Sequence, residues 1–139
     1  MMKMRLDHIG VVVKDIEHSK EYYTRTFDCQ PLSQIIYEPA HKVYVLFLDA
    51  GHGSSPMIEL IMPATEDSRV SAYLKKTGGG IHHLAYEVPD IDEAIKHFKS
   101  SKAMIIGGIV PGAGHGNTRT VWLYTAEKEL VELIEQRHD

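Results

Sequence analysis

The chain has 139 residues, 43% of them apolar and 24% charged, with a net charge of −4. That size holds one domain with a single core and excludes two full-sized independent ones; the composition excludes disorder, and the acidic balance without a basic cluster excludes nucleic acid as a partner. One cysteine, Cys29, excludes an internal disulfide and every multi-cysteine metal site. From the N-terminus, Met1-Met2-Lys3-Met4-Arg5-Leu6-Asp7 carries positive charge but no apolar secretory core, so a cytoplasmic, reducing location is expected. Leu6–Val13, rich in β-branched residues, predicts a strand. Asp15 then predicts a helix N-cap, and Ile16, Tyr23 and Phe27 recur at a spacing that predicts a helical stripe facing the core. Gln34–Tyr37, Val43–Asp49 and Met57–Met62, separated by Gly, Pro and Ser, predict three strands. Ser68 to Lys76, closed by Gly78, predicts a short linking helix with its cap residues in place, and Gly78-Gly79-Gly80 reads as its stop. Ile81–Val88 predicts the next strand, and Asp90 with Glu93 caps a helix whose Ile91, Ala94, Ile95 and Phe98 face the core. Met104–Val110, Thr118–Tyr124 and Leu130–Glu135 predict the last three strands. No apolar run, the longest being Ile9–Val13 and Ala103–Val110, nears the roughly 18 residues of a membrane-spanning helix, so no membrane partner is expected.

The order strand, helix, three strands occurs twice, and the residues themselves repeat. His8-Ile9-Gly10-Val11-Val12-Val13-Lys14-Asp15-Ile16-Glu17 lies over His83-Leu84-Ala85-Tyr86-Glu87-Val88-Pro89-Asp90-Ile91-Asp92 at an offset of 75, with His, Val, Asp and Ile identical. Ile58-Glu59-Leu60-Ile61 lies over Val131-Glu132-Leu133-Ile134 at an offset of 73. The expected fold is α+β: one domain, 1–139, of two paired βαβββ modules, about 4–64 and 79–137, joined by the helix 68–76 and forming a curved mixed sheet around a metal cleft.

Side chains alternate across a strand, so His8 shares a face with Gly10 and Val12 while Ile9, Val11 and Val13 turn toward the helix. The repeat puts His83 in the equivalent place, and Glu59 and Glu132 match on the last strand of each module. A carboxylate buried alone is costly, and a divalent cation shared by His8, Glu59, His83 and Glu132 would remove that cost. This nitrogen and oxygen set suits one divalent ion of Co, Zn, Ni, Mn or Fe, and six-coordination leaves positions open for substrate oxygens. Asp7 and His82 are expected to turn to the other face and are left out of the set. His18, His97, His41 and His52 are expected to be solvated, His115 in its Gly-rich loop is the remaining histidine with functional potential, Cys29 is inert, and Trp122 belongs to the core.

The run Leu6–Ile16, then Glu66-Asp67-Ser68 leading to Gly80-Ile81-His82-His83-Leu84-Ala85-Tyr86-Glu87-Val88, resembles the methylmalonyl-CoA epimerases of the vicinal oxygen chelate (glyoxalase, bleomycin resistance and dioxygenase) superfamily over nearly the whole chain. The resemblance implies the same four ligands and an isomerase; a cation with open positions beside a carboxylate points to a metal-stabilised enolate, with Glu132 and Glu59, set on opposite sides of the substrate by the pseudo-symmetry, as the catalytic proton-handling groups. It implies a small-molecule substrate, an acyl-CoA or another thioester-like chelating compound, and a homodimer is expected from exposed strand edges. Glu59 is a departure, since Gln occurs there among epimerases while two His with two Glu is also the set of glyoxalase I, so isomerisation of a hemithioacetal by a lactoylglutathione lyase is the alternative. Ala40-His41-Lys42 is another, standing where a Glu-Gln-Gly sequence is typical, and only Thr125-Ala126-Glu127-Lys128-Glu129 precedes the last strand, where epimerases carry a His-Pro-Lys segment. Ring-cleaving oxygenation at iron is disfavoured by the fourth ligand, and a metal-free antibiotic-binding protein by the retention of both carboxylates.

Overall fold

The computed structural model describes residues 2–53, 56–112 and 116–137, so His115 lies outside the described residues. Among the described residues there are nine strands and three helices: β1 (Arg5–Val12), α1 (Ile16–Phe27), β2 (Gln30–Pro31), β3 (Ile36–Glu38), β4 (Val43–Asp49), β5 (Met57–Pro63), α2 (Arg69–Thr77), β6 (Gly80–Val88), α3 (Ile91–Ser100), β7 (Met104–Gly112), β8 (Thr118–Tyr124) and β9 (Leu130–Glu135). The architecture is α+β, and the chain divides into two compact units, His8–His82 and a second made of Met1–Asp7 with His83–Asp139. No helix among the described residues is long and apolar enough to cross a membrane.

In the His8–His82 unit the strand order is β2-β4-β5-β1, with β3 on the far side of β4. β1 runs parallel to β5 and β4 antiparallel to it, so the sheet is mixed. Helix α1 starts where Asp15 accepts a hydrogen bond from the backbone N–H of His18 at 3.1 Å. Its buried Ile16 joins Val11, Val13, Cys29, Leu46, Leu48 and Leu60 in one core. Leu48 and Leu60 are fully buried, each worth about 1.5–3 kcal/mol by transfer out of water. Burial is also the main reason the Cys29 thiol is pushed up from its usual range, which leaves it unreactive. Phe27 departs from expectation, being 58% exposed: it is the last residue of α1, past the edge of the core, and its ring rests on Tyr22 and Tyr23 instead.

Helix α2 ends at Gly78 in the left-handed conformation, φ +80°, as its sequence suggests. Its start differs, because the Ser68 hydroxyl does not cap the helix but donates to the carbonyl of His41 at 2.9 Å. Val70 of α2 packs with Val12, Val43, Val45 and Ile61, closing one end of the sheet face opposite α1. Gly79 is more than a helix stop. Its φ is +103°, and a Cβ there would stand 2.6 Å from the carbonyl oxygen of Val12, so both the backbone conformation and the close approach require glycine. Gly79→Ala is expected to cost at least about 2 kcal/mol and to lower the thermal midpoint by roughly 5–10 °C, measured by circular dichroism.

In the second unit the order is β6-β9-β8-β7, with β6 parallel to β9 and the other pairs antiparallel. Asp90 caps α3 by accepting from the N–H groups of Asp92 and Glu93 at 2.9 and 3.2 Å. The N–H of Ile91 donates to the carboxylate of Glu135, which also holds Arg119. Ile91 and Ala94 are fully buried against Val88, Val121, Leu123, Val131 and Leu133. Strand β7 runs two residues beyond the predicted one because its register shifts between Ile106 and Val110, where Gly107 takes φ +67° and makes a bulge.

Candidate metal centre

In the His8–His82 unit, alternation along β1 turns Ile9, Val11 and Val13 into the α1 core and leaves His8 on the opposite face, fully buried. Register then builds a cell around it. Glu59 on β5 lies beside Gly10 of β1 and across from Phe47 of β4. A Glu59 oxygen, Oε1, stands 3.3 Å from His8 Nε2, and the Phe47 ring meets the imidazole edge-on, with centroids 5.2 Å apart and an interplanar angle of 84°. Gly10, directly beside Glu59 in the register, brings no side chain.

The second unit repeats the cell. His83 on β6 is 4% exposed, and Glu132 on β9, 8% exposed, lies beside Ala85 and across from Trp122 of β8. A His83 ring nitrogen and a Glu132 oxygen lie within 4.8 Å of each other. Trp122 meets His83 edge-on, centroids 4.8 Å apart at 77°. Glu132 is the one charged residue in the buried run Val131–Ile134, a placement that is costly for a carboxylate unless a partner or a cation offsets its charge.

These donors fit a cation. Two ligands bound at about 2.1 Å stand about 3.0 Å apart at a right angle and about 3.4 Å apart in a tetrahedron, and the His8–Glu59 separation of 3.3 Å falls between. Neutral imidazole and carboxylate together suit a divalent transition ion. Each unit thus supplies one imidazole and one carboxylate with matching register, as the repeat in the sequence suggests.

Two aromatic residues complete the cells, and neither was legible as such. Trp122, expected in the core, is instead half-buried on the face that carries Glu132. Phe47 had no assigned role, although it precedes Trp122 by 75 residues, the same offset that relates His8 to His83.

The remaining histidines divide. Exposed His18 and His97 lie on helices, and His52 is exposed beside Asp28. His41 is not simply solvated: its Nδ1 pairs with Glu38 at 2.7 Å in the β3–β4 turn, where the same carboxylate accepts from the N–H groups of Ala40 and His41. His82 is half-buried with its ring edge-on to Tyr73. Asp7 is 9% exposed and pairs with Arg5 at 3.2 Å, and Arg5 also reaches Glu87, whose hydrogen bond is the main cause that raises the guanidinium's pKa.

The model of the Glyoxalase/Bleomycin resistance protein/Dioxygenase superfamily matches residues 7–121. An ethylmalonyl-CoA/methylmalonyl-CoA epimerase of Cereibacter sphaeroides is 35% identical over 132 residues, covering 93% of this chain and 96% of that protein. The mitochondrial methylmalonyl-CoA epimerase of Mus musculus is 31% identical over 81% of this chain, which spans only 61% of the mouse protein's length. Among solved structures, methylmalonyl-CoA epimerase from Mycobacterium tuberculosis superposes with a TM-score of 0.82 at 26% identity, over 96% of this chain and 88% of that one.

Proposed function

The chain belongs to the Glyoxalase/Bleomycin resistance protein/Dioxygenase superfamily, and we propose that it is a divalent-metal-dependent epimerase of a chelating acyl-CoA, with methylmalonyl-CoA the first substrate to test. The observation that carries this reading is the duplicated imidazole–carboxylate cell. On this proposal His8, Glu59, His83 and Glu132 would be the ligands of one divalent ion, drawn from Co, Zn, Ni, Mn or Fe. The epimerase relatives support the substrate class.

When bound, the cation supplies Lewis-acid stabilisation, several kcal/mol, of the negative charge that develops on the substrate oxygens. The side chains handle the protons. A Glu132 oxygen takes the α-proton, the C–H electron pair moves toward the thioester carbonyl, the Glu59 carboxyl delivers a proton to the opposite face of the same carbon, and proton exchange with solvent returns Glu132 to the carboxylate and Glu59 to the acid. No redox partner is needed, since one C–H bond breaks and one forms. The burial of Glu132 keeps bulk water from quenching the intermediate early. Exposed apolar residues of β7, Met104, Ile109 and Val110, support a second copy of the chain as partner.

Glu59 favours one second reading. A carboxylate pair also suits a glyoxalase-like isomerase, in which the proton returns to the neighbouring carbon of a hemithioacetal. Parallel assays separate the two: inversion of methylmalonyl-CoA is expected, without conversion of methylglyoxal in the presence of glutathione, and the reverse result replaces epimerase by glyoxalase. Occupancy has its own reporter, because Trp122 is the single tryptophan of the chain and touches His83. Titrating Co2+ into the apo-protein is expected to quench its emission to a saturating level, with recovery on adding a chelator; unchanged emission would count against His83 as a ligand.

A further inference from the structure

We propose that Phe47 and Trp122 are positioning residues that fix the planes of the metal-binding imidazoles, an inference that rests on the reading of His8 and His83 as ligands. The geometry occurs twice. Each aromatic ring stands edge-on to its histidine, at 84° and 77°, with centroids 5.2 and 4.8 Å apart. Each lies directly across the strand pair from the carboxylate of its own cell, Phe47 from Glu59 and Trp122 from Glu132. Their recurrence at the histidine offset of 75 residues, with the ring type changed from phenyl to indole, points to a shared geometric role rather than a particular hydrogen bond.

Packing alone does not account for the pair. Neither residue belongs to the core clusters beneath α1 and α3, and both are only half-buried on the face that carries the ligands. An imidazole binds a cation along the in-plane lone pair of one nitrogen, so rotation about its Cβ–Cγ bond removes the donor from line. On the histidine's own strand the residue beside each carboxylate is Gly10 or Ala85, which offers no ring to set against the imidazole. An edge-on aromatic contact supplies that restraint from one side: the ring edge, partly positive, meets a π face and disfavours the rotated conformers. The aromatic thus does by ring contact what a hydrogen-bonded outer partner does for many metal-bound histidines.

The test is titration calorimetry of Co2+ into apo-protein for wild type, Phe47→Leu, Trp122→Leu and Trp122→Phe, with the thermal midpoint of each apo-protein and the visible spectrum of each cobalt form. The Leu variants are expected to bind Co2+ roughly threefold to tenfold more weakly, as the loss of one aromatic contact implies. Their apo midpoints should stay near wild type, their cobalt bands should broaden, and Trp122→Phe should recover wild-type affinity. Wild-type affinity and spectra in both Leu variants would overturn the inference while leaving the metal centre standing. Weakened binding that tracks a lowered apo midpoint and is not rescued by Trp122→Phe would overturn it too, in favour of a purely structural role. Failure of the wild type to bind Co2+ would remove the metal reading, and this inference with it.

Discussion

Glu132→Gln is expected to slow the exchange of the α-hydrogen of methylmalonyl-CoA by about 10²–10⁴-fold, the range that a positioned general base contributes. The amide matches the carboxylate in shape, so Leu133 and Val131 remain packed in the core behind it and the fold should not change. What is lost is the ability to accept a proton. Amide oxygen is also a weaker ligand than carboxylate, so the comparison is made at cobalt concentrations that saturate both proteins, checked by metal analysis. A variant that is fully loaded and exchanges at the wild-type rate would remove Glu132 from proton transfer. Glu59→Gln, by the same reasoning, should reduce inversion more than it reduces deuterium uptake, since a second acid is needed to reprotonate the opposite face.

Loss of either imidazole should be felt first in the metal. Structural zinc sites bind with about 10–16 kcal/mol spread over their ligands, so His8→Ala and His83→Ala are each expected to weaken the ion by roughly two orders of magnitude. Wild type should retain about one ion per chain after dialysis against Co2+ or Zn2+, and the variants close to none. Far-ultraviolet circular dichroism should stay near wild type, because the faces of β1 and β6 that pack under the helices are untouched. Unfolding of both variants in the absence of metal would instead assign His8 and His83 a structural role.

Much of this was legible in the sequence because the chain says it twice. β4, β8 and β9 have the bounds their apolar runs and flanking turn residues indicate, and the histidine and glutamate of each cell sit at matching places in the repeat. What stayed hidden depends on tertiary geometry. β2 is two residues long and exists only as a partner for Leu48 and Asp49 of β4, so no local pattern announces it. Phe27 continues the α1 stripe on paper, yet the helix outruns its core by that last turn. Trp122 reads as core by residue type, and only the pairing of β8 with β9 shows that it faces the carboxylate. Gly79 looks like punctuation until the Val12 carbonyl is seen where its side chain would be. The Glu38–His41 pair, by contrast, is local, three residues apart, and needs only the β3–β4 turn to close it.

On the proposed function, a carboxylate beside a bound cation removes the α-proton of an acyl thioester. Deuterium uptake measures that step without depending on which face is reprotonated. Protein carrying one Co2+ per chain is incubated with methylmalonyl-CoA in deuterated buffer, and label at the α-carbon is followed by mass spectrometry. The expected result is uptake far above that of buffer alone, lost on chelation and restored by adding Co2+. Fully loaded, folded protein that leaves the label at the buffer rate would contradict proton abstraction at this site.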